Sequence, residues 1–415
     1  MERGRRIELL ALAWKAKVLP LYEPRIGIYL STNIVCKYKP MTKFYCASIH
    51  QNIRIEGSNI TGLRILPCCM YKTSANYKTL DEYNTSNEIS QLKTSTTWPV
   101  GCSNCKKQEQ AGQTSYRMHA NSAFEHVTGT RYEIFPSNIC NLKCIMCSPS
   151  YSTALAQERG ETELVKEFNI TADILQILKQ QDNIESISAI GGEFFLSQGN
   201  LDVMDFVIEH NIPFRIVTNA TVILPQHLER LQRILNLELQ ISIDGINDSY
   251  EFMRYPATWN KFSHNVKQLL EALPSADINF HFVAQALNIR HLAPTLEWCN
   301  QQKHPTRITS IVGPAHLGWS VFTSNEKQEL INTLTVQLEQ YKLTRQQKQW
   351  IQDLCNTLTH TEHNAQHRMQ CDQQVADTLA KRKISRVWWI PHNVVACPGN
   401  DPGSLDYQSS ALPLS

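Results

Sequence analysis

The run Ser137-Asn-Ile-Cys140-Asn-Leu-Lys-Cys144-Ile-Met-Cys147 decides how this chain is read. Its three cysteines are spaced C-x3-C-x2-C. Thiolates packed this closely reach three irons of one 4Fe-4S cube and leave the fourth iron open; short, fixed Cys spacings are how such clusters are held. An open coordination position separates a reactive metal site from a closed structural one. The competing reading is three buried thiols or part of a zinc knuckle. That reading calls for a fourth ligand in paired CxxC or CxxH groups.

Working outward, strand-like and helix-like runs alternate. Strands are predicted over residues 132–136, 186–190, 214–217, 237–243, 278–283 and 309–313. Helices are predicted over 201–210, 227–235, 260–273 and 292–301. Such alternation means βαβ units and a parallel sheet. The fold class is therefore α/β, a partial (β/α)6 TIM-like barrel open at one side. In such barrels the chemistry sits on loops at the carboxyl ends of strands. Residues 324–381 are polar, Gln-rich and helical in period, and they predict two or three covering helices. The predicted domains are an extension over 1–43, a Cys-rich segment over 44–120, the barrel over 121–320 and a helical extension with tail over 321–415.

Gly191-Gly192-Glu193 follows the second predicted strand, Thr218-Asn219-Ala220 the third, and Ser242-Ile243-Asp244-Gly245 ends the fourth. Paired glycines let backbone approach a ligand closely, and a carboxylate beside them accepts from an ammonium. Arg254 presents a fork suited to a carboxylate. Taken alone, Gly-Gly-Glu reads as a surface turn, Arg254 as an exposed cation at a helix start, and apolar strand residues as core. Together with the cysteine run, these motifs resemble, in order, those of the radical S-adenosylmethionine (SAM) enzymes. The resemblance covers residues 131–313, with Phe194 standing where the family usually has Pro. It implies an apolar residue, Met146, before the last cysteine, and a 4Fe-4S cluster on Cys140, Cys144 and Cys147 whose open iron chelates SAM. It implies that Glu193 of the Gly191–Gly192 turn takes the SAM amino group and that Arg254 takes its carboxylate. Thr218 and Asn219 match the family's Thr-Asn-Gly. Ser242 and Asp244 suit the ribose hydroxyls, and Gln285 with residues 282–284 lines the adenine pocket. The implied activity is reductive cleavage of SAM to methionine and a 5′-deoxyadenosyl radical that abstracts a substrate hydrogen, with electrons from a reductase or flavodoxin.

A second cysteine set precedes the barrel: Cys46, the pair Cys68-Cys69, and Cys102-Ser-Asn-Cys105, followed by Glu109, Gly112 and Ser115-Tyr-Arg117. The order resembles the twitch domain, the smaller relative of the SPASM domain, although in most relatives it follows the barrel. The resemblance implies an auxiliary iron–sulfur cluster on Cys46, Cys68, Cys102 and Cys105, with Cys69 an equal substitute for Cys68. A zinc ion suits four cysteines as well. Cys36 reads as a further ligand or a buried thiol, and Cys299, Cys355, Cys371 and Cys397 read by default as small hydrophobes. Cys397 is the candidate hydrogen donor, as some radical peptide epimerases require a thiol. Trp388 and Trp389 either pack the tail or grip substrate.

Composition narrows the partners. Hydrophobic residues make up 42% and charged ones 19% of 415 residues, as in globular proteins. Forty Lys and Arg face thirty-eight Asp and Glu, so no basic stripe draws the chain to nucleic acid or an anionic membrane. Thirteen cysteines, an odd and clustered set, fit reduced thiols and metal in a cytoplasm better than disulfides. An N-terminal Arg cluster and apolar run imitate a signal peptide, but Glu8, Lys15 and Lys17 interrupt it. The auxiliary-cluster resemblance implies a ribosomally made precursor peptide as substrate. The expected outcome is tyramine excision to a β-amino acid, epimerisation or crosslinking. Too few residues precede the first cysteines for a winged helix, so a separate leader-binding (RRE-type) protein, or direct capture of the leader by a strand edge, is expected. The alternatives are a radical SAM enzyme acting on RNA or a small molecule, and a non-catalytic iron–sulfur scaffold.

Overall fold

A computed structural model describes residues 44–59, 62–110, 115–124 and 128–384. One sheet organises them, in the order β2-β1-β3-β4-β5-β6-β7-β8. The strands are β1 (Asn52–Glu56), β2 (Arg64–Leu66), β3 (Thr130–Phe135), β4 (Ile184–Ala189), β5 (Phe214–Thr218), β6 (Leu237–Ser242), β7 (Asp277–Ala284) and β8 (Thr306–Ser310). Every neighbouring pair is parallel except β1 and β2. The six predicted strands are β3–β8. The sheet also takes two strands from the Cys-rich segment, through the parallel pairing of β1 with β3.

Period-2 alternation explains the two faces. In Phe214-Arg-Ile-Val-Thr218 the first, third and fifth side chains are buried and the others are not. One face packs on the helices Thr171–Leu178, Gly199–His210, Pro225–Arg233 and Trp259–Ala272, with Ile134, Ile187, Ile216, Leu239, Ile241 and Phe280 all fully buried. The other face is polar. It carries Arg54, Glu133, Ser188, Arg215, Glu238, Asn279 and His281. With the helices packed on the opposite face, this polar face is the inner wall, or lumen, of the partial barrel.

The helices Ser324–Gln340, Arg345–His360 and Ala365–Arg382 form the predicted cover. Two begin with capping boxes, Thr323 with Glu326 and Thr344 with Gln347, which satisfy the first free N–H groups. Leu330, Leu334, Ile351, Leu358 and Val375 recur at helical spacing and build a second core with Ile145, Phe252, Met253 and Phe282. Ile145 lies between two of the cysteines, so this cover packs directly on the cysteine loop.

Candidate functional site

All the barrel motifs lie beyond the carboxyl ends of strands. The cysteine loop follows β3, Gly191–Glu193 follows β4, Thr218 ends β5, Ser242 ends β6, and Gln285 follows β7. The cysteine loop hangs on backbone and side-chain bonds from several directions. Lys143 donates its N–H to Tyr255 at 2.6 Å, and Ile145 its N–H to Met253 at 3.0 Å. Gln374 donates to the Ile145 carbonyl at 2.7 Å, and Arg382 donates to the carbonyl of Lys143. Burial pushes all three thiols up. Cys147 reaches about 12, with Cys144 adding to it, and Cys140 is raised by burial and then by Cys144. Cys144 and Cys147 both bear electrostatically on Cys140. Met146 is partly buried against the second core.

Gly192, at φ 44°, lies so close to the cysteine loop that a Cβ would stand 2.6 Å from the carbonyls of Ser137 and Ile139. Only glycine fits there. The following N–H, of Glu193, donates to the Ile139 carbonyl at 2.7 Å. The Glu193 carboxylate is 2% exposed. It accepts from Thr218 Oγ1 at 2.6 Å and from the Asn219 N–H at 2.6 Å. Burial raises it to about 6, and these two donors restrain the rise. Asn219 also donates to Asn141 at 3.1 Å, which ties its loop to the cysteine loop. Thr218 and Asn219 therefore orient Glu193 and the cysteine loop.

Asp244 is fully buried. It accepts from the Val283 N–H at 2.9 Å and pairs with Arg254 Nη2 at 2.6 Å. Arg254 Nη1 lies 3.9 Å from Cys144 Sγ. Asp244 is committed to Arg254, while Ser242 beside it is partly open. Three buried polar groups here lack a hydrogen-bond partner among the described residues: both side-chain ends of Gln285, Arg254 Nε and the Tyr250 hydroxyl. Buried polar atoms are normally paired, so these groups await a ligand with donors and acceptors. That fits the carboxylate, amine and adenine edge of SAM. Tyr250 is a residue that motif reading missed. Its hydroxyl feels Arg254, Cys144, Asp244 and Glu193, but in the sequence it is one apolar-face residue of a short helix.

The second cysteine set converges as well. Cys46, Cys68, Cys102 and Cys105 line one pocket with Ile49, Met70, Tyr71, Tyr116 and Arg117. Cys69 is not among them. It is solvent-accessible beside Glu133 and Arg54 of the lumen face, in the turn that follows β2. Glu109, Ser115 and Arg117 form one network. Glu109 accepts from Ser115 at 2.5 Å and from Arg117 at 2.5 and 2.9 Å, and Arg117 donates to the Tyr45 carbonyl at 2.8 Å, next to Cys46. Among the described residues, no three His, Cys, Asp or Glu side chains are grouped to hold a single metal ion. Cys299 and Cys371 are buried in the cores. Cys397, Trp388, Trp389, Cys36, Gly112 and the 1–43 extension lie outside the described residues. No helix of the described residues is long and apolar enough to cross a membrane.

No curated protein matches the chain. Among solved structures it is similar to Streptococcus suis SuiB bound to S-adenosylmethionine, at 15% identity and TM-score 0.38 over 69% of this chain and 60% of that one. It is similar to SuiB bound to precursor peptide SuiA, at 17% and 0.34 over 58% and 60%. It is also similar to native anSMEcpe with bound AdoMet and Cp18Cys peptide, at 16% and 0.37 over 50% and 60%. The chain thus spans about 60% of the length of each. The family model described as the Radical SAM superfamily matches residues 134–299, from the end of β3 to the helix after β7.

Proposed function

We propose that the chain cleaves SAM reductively and uses the resulting radical on a ribosomally made precursor peptide held in the lumen. The observation that carries this reading is the lumen itself. Its wall carries Arg54, Glu133, Arg215, Glu238 and His281, the motif loops follow the carboxyl ends of its strands, and Cys69 stands beside Arg54 and Glu133. A small hydrophobic metabolite would not call for such a lining. Cys140, Cys144 and Cys147 would hold the 4Fe-4S cluster, which supplies the electron that breaks SAM. Glu193 would receive the SAM ammonium and Arg254 its carboxylate through Nε and Nη1. Gln285 would read the adenine edge, and Ser242 would meet the ribose. Asp244 would hold Arg254 in place rather than bind ribose itself.

Cys46, Cys68, Cys102 and Cys105 would hold an auxiliary cluster. A zinc ion on the same four thiolates is the alternative, and metal analysis of the isolated site separates the two. A separate RRE-type protein would present the leader, and a flavodoxin-type reductase would supply electrons in the cytoplasm. The reaction class is peptide epimerisation, crosslinking or tyramine excision. Co-expression with a short peptide encoded beside this gene, followed by intact-mass and fragment spectrometry, tests the reading. A mass or stereochemical change that depends on Cys144 supports it. An unaltered peptide together with a modified RNA nucleoside or small metabolite would move the assignment to the RNA or small-molecule class.

A further inference from the structure

The tyrosines of the Cys-rich core are not equivalent. Tyr71 and Tyr77 pack against a hydrophobic cluster built by Cys46, Ile49, Ile65, Tyr83, Ile89 and Leu92. Both spend their hydroxyls on Glu88: Tyr71 donates to Oε1 and Tyr77 to Oε2, each at 2.8 Å. Tyr83, on the helix Leu80–Thr85, sits inside the cluster at 1% exposure. The Lys93 ammonium lies 5.8 Å over its ring, and the Tyr77 ring meets it edge-on at 5.8 Å. Its hydroxyl is buried and has no hydrogen-bond partner among the described residues. A phenol is protonated at neutral pH and is a donor. Buried without an acceptor it is unfavourable, and native cores seldom keep such a group. Packing does not call for the oxygen, since phenylalanine would fill the cluster with no polar atom to bury.

The hydroxyl sits beside the four-cysteine pocket. Cys46 and Ile49 belong both to the cluster around Tyr83 and to the lining of that pocket, and Cys102 packs against the cluster. Cys68 is buried and lies three residues beyond Ile65 of the same cluster. Cys68 bears on the Tyr83 hydroxyl more strongly than Tyr77 does. The sulfurs here already take backbone donors: Cys46 accepts from the Ile49 and Ser48 N–H groups, and Cys68 from that of Met70. A neutral thiol is a weak acceptor. A metal-bound cysteine is a thiolate, whose charge makes a hydrogen bond strong.

We infer that Tyr83 donates its hydroxyl to the Cys68 sulfur when that sulfur binds metal, and that this contact tunes the auxiliary centre. This rests on the reading of Cys46, Cys68, Cys102 and Cys105 as one metal site and adds a residue that sets its properties. Hydrogen bonds to cluster sulfurs are among the levers on reduction potential. A donor offsets negative charge on sulfur, so it favours the more negative, reduced cluster and raises the potential. Tyr71 does not substitute, because its hydroxyl is held by Glu88.

The test compares Tyr83→Phe with its parent in the full chain, on a background with Cys140, Cys144 and Cys147 replaced by Ala so that only this site loads. Zinc, titrated against a competing chelator, is the affinity probe; redox titration of iron–sulfide-loaded protein gives the midpoint potential. Tyr83→Phe should bind zinc about tenfold more weakly. Its cluster potential should fall by up to about 59 mV, the same factor converted for one electron. Without metal its urea midpoint should hold or rise, because an unpaired hydroxyl has been removed. A lower midpoint without metal would show that the hydroxyl serves the core and would overturn the proposal. Zinc affinity or a potential equal to the parent's would also overturn it and leave the metal site standing. A parent that takes zinc but builds no cluster leaves affinity to decide. A parent that holds neither zinc nor iron would remove the site, and this proposal with it.

Discussion

Arg382, in the last turn of the last described helix, donates to the carbonyl of Lys143, one residue before Cys144. Its side chain is 1% exposed and also pairs with Glu158 at 3.0 Å and stacks over Tyr255 at 4.8 Å. The last described helix is thereby fastened to the loop that carries the cluster cysteines, 239 residues away. Replacing Arg382 with Met leaves the largely buried Glu158 with only the longer Lys143 contact, at 3.5 Å. We expect a loss of about 3 kcal/mol of stability and a lower iron content at the Cys140 site. Chemical denaturation and iron analysis check this, and an unchanged midpoint with full iron would refute the tether.

Glu193 sets SAM affinity separately from cluster loading. Glu193→Gln keeps the shape but removes the charge and turns one accepting atom into a donor against the Thr218 hydroxyl or the Asn219 N–H. SAM affinity should fall about 10- to 100-fold, the weight of a charge-assisted bond, while iron content holds. Equilibrium binding of SAM to the loaded protein decides it; undiminished affinity would place the ammonium elsewhere.

Tyr250 carries a smaller effect. Its hydroxyl is buried without a hydrogen-bond partner, among Arg254, Cys144 and Glu193. If it faces bound SAM, Tyr250→Phe should weaken SAM binding by up to about tenfold and leave the melting temperature unchanged or slightly raised. A variant that binds SAM like wild type assigns the ring to packing alone, with Trp259 and Phe262.

The adjacent cysteines should behave differently. Cys68→Ser should cost the iron of the auxiliary site, because Cys68 lines the four-cysteine pocket. Cys69→Ser should keep it, because Cys69 faces Glu133 and Arg54. Iron counts on a background lacking Cys140, Cys144 and Cys147 isolate this site. Equal iron loss in both variants would mean that the two cysteines share the ligand role.

Much of the sheet was legible because β3–β8 alternate with amphipathic helices over many residues. β2 spans three residues, too few for any period, and β1 carries its alternation, Asn52-Ile-Arg-Ile-Glu56, within a stretch dominated by cysteines. The apolar pair Ile311-Val312 drew the last strand late; the pairing runs over Thr306–Ser310, where Phe280 meets Thr306. Local motifs placed Glu193, Asp244 and the cysteines, because each lies within a few residues of a strand end. Tyr250, Gln374 and Arg382 were not legible. Their roles depend on partners far away in sequence, and nothing local separates them from an ordinary core or surface residue. The Asp244–Arg254 pair shows the same limit: the sequence holds both residues but does not show that they spend their charges on each other.

The central claim is that Cys140, Cys144 and Cys147 support SAM cleavage. The most direct test is anaerobic reconstitution with iron and sulfide, addition of SAM and dithionite, and quantification of 5′-deoxyadenosine beside the triple Cys→Ala variant. The account predicts 5′-deoxyadenosine from wild type and none from the variant. Iron-loaded wild type that forms none, with or without the peptide encoded beside this gene, would contradict it and leave the barrel as an iron–sulfur scaffold.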